Sequence, residues 1–69
     1  MENILTRIDK RIKDWKAEGA RIAWIELGEE AIEEFYPYQK KTTPSHAGYA
    51  LKRNPRLPLN AIEPVLSRG

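Results

Sequence analysis

A chain of 69 residues with a net charge of +2 allows one small domain, which excludes a dinucleotide-binding domain or a large multi-substrate active site. Hydrophobic residues at 41% and charged residues at 32%, with two Trp, three Tyr and one Phe, match a folded unit with a solvated surface and not a disordered chain. No Cys and a single His exclude disulfides and an ordinary structural zinc site. The longest apolar run, Ile22 to Ile25, is far too short for a membrane span or a signal peptide. The expectation is therefore a cytoplasmic protein with no cofactor and no membrane contact.

Residues 3–18 carry Leu5, Ile8, Ile12 and Trp15 at 3–4–3 spacing, widened by Ile4, which predicts an amphipathic helix. Asn3 is its candidate N-cap and Gly19 its stop. Residues 21–27 predict a strand, with Ile22, Trp24 and Glu26 on one face and Ala23, Ile25 and Leu27 on the other. Both faces are largely apolar, as expected of a strand inside a sheet. Trp15, Trp24 and Phe35 are assigned to the core.

Residues 29–36 predict a short helix that buries Ala31, Ile32, Phe35 and Tyr36. Gly28 precedes it, and Pro37 ends it. Residues 37–47 have no period and predict a loop. Residues 48–53 predict a second strand with Tyr49 and Leu51 on one face. Beyond it, Pro55 and Pro58 point to a turn or an edge segment. Residues 54–69 are thus expected as a turn, an edge segment or a short C-terminal helix, in which Asn60 to Glu63 are candidates to cap a last helical turn holding Ile62, Val65 and Leu66. The fold class is small α+β: a long first helix and a short second helix on a two- or three-stranded sheet.

Charge is distributed unevenly. Residues 1–37 hold six basic and nine acidic side chains, whereas residues 38–69 hold six basic side chains and only Glu63. The acidic set is Glu26, Glu29, Glu30, Glu33 and Glu34, with Glu26, Glu30 and Glu33 expected to converge at the start of the second helix. The basic half interleaves aromatic and cationic side chains: Tyr38, Lys40, Lys41, Tyr49, Lys52, Arg53 and Arg56. This combination is a candidate partner-binding surface.

No Gly-rich phosphate loop, metal-ligand spacing or nucleophile–base arrangement occurs in the chain. Ser45 and His46 are sequence neighbours without an Asp nearby in the chain. The expectation is a non-enzymatic interaction protein of adaptor or inhibitor type, without a small-molecule substrate. It would bind a protein partner or a second copy through its charged faces and open sheet edge. The alternative is a nucleic-acid-binding module using the basic C-terminal half.

Overall fold

The computed structural model describes residues 2–39 and 44–68. In chain order its elements are α1 (Ile4–Ala17), β1 (Ile22–Leu27), α2 (Glu29–Phe35), β2 (Ser45–His46), β3 (Tyr49–Arg53) and β4 (Ile62–Leu66). The class is α+β, with a long first helix and a short second one. The sheet has four strands in the order β2-β3-β1-β4, one or two more than the sequence suggested.

Helix α1 starts where its cap dictates. The Asn3 side chain accepts a hydrogen bond from the Thr6 amide at 2.9 Å, which satisfies one of the first-turn donors the helix cannot use internally. The chain leaves the helix through Gly19 at φ +81°. Ile4, Ile8 and Ile12 form the buried stripe, with Leu5 and Trp15 packed at its margins. These residues meet Ile25 and Leu27 of β1, Ala31, Ile32 and Phe35 of α2, Leu51 of β3 and Ile62 of β4 in a single core. Both helices therefore cover the same face of the sheet.

β1 lies inside the sheet, parallel to β3 and antiparallel to β4. An irregularity between Ile22 and Trp24 corrects the simple alternation read from the sequence. The extra residue, Ala23, is exposed. Ile22 moves to the core side, opposite Leu66. Trp24 and Glu26 remain on the uncovered face. A bulge of this kind shifts side-chain parity by one residue, which period-2 counting does not anticipate.

The C-terminal segment is the second correction. Residues 62–66 form a strand, not a short helix, and pairing with β1 places Ile62 in the core while Glu63 faces away. The predicted loop also contains β2, joined to β3 by a two-residue turn. Ala47 and Gly48 there take φ values of 54° and 84°, the combination a tight hairpin between right-twisted strands requires. Residues 40–43 of that loop lie outside the described residues.

The connection from β3 to β4 crosses the end of β1 and holds the start of α2. The Asn54 amide donates to the Leu27 carbonyl (2.9 Å), the Gly28 amide to the Ala61 carbonyl (3.0 Å), and the Ala31 amide to the Leu59 carbonyl (2.9 Å). Gly28 is where this crossing is tightest. A Cβ there would lie 2.6 Å from the Leu59 carbonyl oxygen and closer still to that of Pro58. Both obstacles are main chain and cannot rotate aside.

Gly28→Ala is therefore expected to lower stability by about 2–4 kcal/mol, because either the crossing shifts or its hydrogen bonds break. Urea unfolding checks this. A loss below about 0.5 kcal/mol would mean that the crossing yields freely.

Candidate interaction surface

Because α1 and α2 occupy one face, the opposite face of the sheet carries its side chains toward solvent. Its centre is Trp24 on β1, half-exposed. Lys52, from the neighbouring strand β3, holds its ammonium 4.0 Å from the centroid of the Trp24 ring, a cation–π contact. The Trp24 indole donates to Glu26 Oε2 at 3.4 Å, and the Asn54 amide nitrogen donates to Glu26 Oε1 at 3.0 Å. Val65 lies directly opposite Trp24, and Glu63 directly opposite Glu26. The face is thus an aromatic and aliphatic centre edged by charges of both signs. Trp24 is consequently not the core residue its apolar setting suggested.

Glu26 also leaves the acidic group assigned to it. It lies on the uncovered face, with the sheet between it and α2. Glu29, Glu30, Glu33 and Glu34 stay together on the exposed side of α2. Glu34 accepts from the Arg7 guanidinium at 3.2 Å. Among the described residues no group of three or more His, Asp or Glu side chains is placed to hold a metal ion. None of their buried side-chain nitrogen or oxygen atoms lacks a hydrogen-bond partner.

The basic and aromatic set is dispersed. Lys52 caps Trp24 on the uncovered face. Arg53 has the opposite parity and reaches the Tyr36 hydroxyl at 3.5 Å. Tyr49 packs against the core side, with the Lys16 ammonium 5.7 Å from its ring centroid. Arg56 sits in the β3–β4 connection, where its amide donates to Asn54 Oδ1 at 2.9 Å. Tyr38 lines a concavity of about 440 Å³ together with Glu2 and Glu34, an acidic setting. Lys40 and Lys41 lie outside the described residues.

His46 and Ser45 do not form a catalytic pair. His46 Nε2 donates to Asp9 Oδ1 at 2.7 Å, tying β2 to α1, and its ring meets Phe35 edge-on at 6.1 Å. The Asp partner absent from the local sequence thus arrives from α1. Such a contact could be found in the sequence only by noticing that Asp9 flanks the Ile8/Ile12 stripe.

Both sheet edges are guarded. The Gly28 amide bond to the Ala61 carbonyl sets the alternation along β1 and β4. It directs the backbone of Glu63 and Val65 toward β1 and that of Ile62, Pro64 and Leu66 outward. Pro64 therefore removes the middle donor from the free edge of β4. At the other edge the outward amide of Ser45 is taken by Gln39 Oε1 at 2.7 Å.

No protein-family model matches the chain, and no curated protein or solved structure matches it either.

Two outcomes follow from this geometry. Glu63→Lys turns a like-charged cross-strand pair into an opposite one and is expected to raise stability by about 0.5 kcal/mol in low salt; thermal unfolding measures it, and a loss would show that the two carboxylates do not repel. Pro64→Thr restores an outward donor to β4. Light scattering at high protein concentration is expected to report strand-mediated association in this variant beyond that of the parent chain.

Proposed function

We propose that this protein is a non-enzymatic interaction module that docks on a protein partner, or on a second copy, through its charged surfaces. The surface best suited to docking is the uncovered sheet face. The observation that carries the reading is Trp24, half-exposed on an interior strand and framed by Lys52, Glu26 and Val65. Large aromatic side chains surrounded by polar groups are the usual anchors of protein–protein contacts. A small chain without disulfides also has reason to gain stability from association. Pro64 removes one outward donor from the β4 edge and Gln39 occupies the Ser45 amide at the other, which favours the face over strand addition.

Charges of mixed sign suit a protein partner better than a polyanion. Glu26 and Glu63 flank Trp24 and would oppose phosphates, and Lys52 covers the ring that a base would stack on. The nucleic-acid alternative rests on a basic set whose described members, Lys52, Arg53 and Arg56, are directed to different parts of the surface, so no observation favours it.

The test compares the parent chain with Trp24→Ser. Native mass by light scattering, and crosslinking to a copurified partner, are expected to reveal a complex that the variant loses. The melting temperature should fall by no more than about 4–8 °C, the equivalent of about 1 kcal/mol. An unchanged complex removes the sheet face from the proposal. Tight duplex binding that weakens by orders of magnitude between about 50 and 200 mM salt would replace the proposal with the nucleic-acid reading.

A further inference from the structure

The uncovered face of the sheet is complementary to itself. Lys52 and Glu63 are both cross-strand neighbours of Glu26, so they stand at one level of the sheet, one strand to either side of β1. Strands are spaced by about 4.8 Å, which sets this cation and anion roughly 10 Å apart. We infer, on the strength of the sheet-face reading proposed above, that the partner of this face is a second copy of this chain, packed about a two-fold axis along β1.

The direction of the axis follows from the charges. A two-fold along β1 keeps each residue at its level and exchanges left for right. β3 of each copy then lies over β4 of the other, and Lys52 of each copy meets Glu63 of the other. A two-fold across the strands at that level would instead set Lys52 over Lys52 and Glu63 over Glu63. The first arrangement is the self-complementary one that a closed dimer needs. It also keeps the strands of the two sheets aligned, as face-to-face sheets prefer.

Both members of the new ion pair are available. Glu63 has no hydrogen bond or ion pair among the described residues, and it faces the like charge of Glu26, which an incoming ammonium offsets. The Lys52 ammonium rests on the Trp24 ring with no carboxylate paired to it among the described residues. A ring holds one side of an ammonium and leaves its other N–H groups for an acceptor. Glu26 lies on the axis, opposite its own counterpart. Its oxygens already accept from the indole and from Asn54, and stacked sheets stand about 10 Å apart, so two opposite-charge pairs outweigh this one like pair. Val65, directly opposite Trp24, and the Lys52 stem supply apolar contact. A nucleic acid brings no cation to Glu63. The face spans four strands and about five residues along them, roughly 300 Å² in projection, against about 800 Å² per partner in a standard interface. The dimer is therefore a weak, exchanging one.

The test is sedimentation equilibrium of the whole chain up to millimolar concentration. Lys52→Glu and Glu63→Lys are measured alone and as an equimolar mixture. The parent is expected to dimerise reversibly. Each variant alone is expected to self-associate at least about tenfold more weakly, because like charges meet at both contacts. The mixture is expected to recover the parent's association, since each variant supplies the charge the other lacks. A folding defect in either variant cannot produce that recovery. Weakened variants that do not recover on mixing overturn the Lys52–Glu63 contact. A parent that stays monomeric throughout overturns the second copy, and the sheet-face reading then stands if Trp24→Ser loses a copurified partner. Self-association unchanged in Trp24→Ser and in both charge variants overturns this inference and the sheet-face reading together.

Discussion

The close approach of the chain at Gly28 to the carbonyls of Pro58 and Leu59, possible only without a side chain, lets main-chain hydrogen bonds tie the two halves of the chain together. A small domain has few interior atoms to spare, so its elements must be tied by main-chain geometry as much as by burial. The crossing at Gly28 does this at one point. It ends β1, supplies the Leu59 carbonyl to a donor at the start of α2, and delivers residues 62–66 to the free side of β1. Without a side chain at position 28 the connection passes over β1. With one, β4 and α2 would compete for the same space.

That crossing also makes the sheet one-sided. β1 becomes an interior strand, shielded by β3 and β4, while both helices pack on the face bearing Ile25, Leu27 and Leu51. Among the described residues no helix remains for the other face, and none is long and apolar enough to cross a membrane. The uncovered face is composed accordingly. Its Trp is shielded by a lysine, and its interior carboxylate, Glu26, is held by Asn54 and the indole. These contacts hold a half-exposed aromatic in place on the uncovered face.

The edges tell a related story. A four-stranded sheet in a chain this short risks pairing with other chains at both ends. Pro64 is destabilising as a helix residue and costly in a central strand, yet on the outward side of β4 it removes a donor that has no partner within the chain. Gln39 performs the equivalent task for Ser45 by direct hydrogen bonding. What the uncovered face then presents is side-chain surface, centred on Trp24.

Much of the local structure was legible from periodicity and punctuation. The Ile4–Ile8–Ile12 stripe, the Asn3 cap, the Gly19 stop and the apolar run of β1 each depend on residues within a turn or two of one another, so short-range rules suffice. The dispersal of the basic set was not legible. Whether Lys52, Arg53 and Tyr49 share a surface depends on strand parity and on what lies over each face. Nor were the bulge at Ala23, the extended state of residues 62–66 and the Asp9–His46 contact, since each is set by a partner distant in sequence. By itself, the sequence determined the helices, strands β1 and β3, the α+β class and the lack of familiar catalytic motifs, because those follow from local geometry and composition. Only the tertiary structure decided which side of each strand meets water, because that depends on which segment reaches β1 first and in what register.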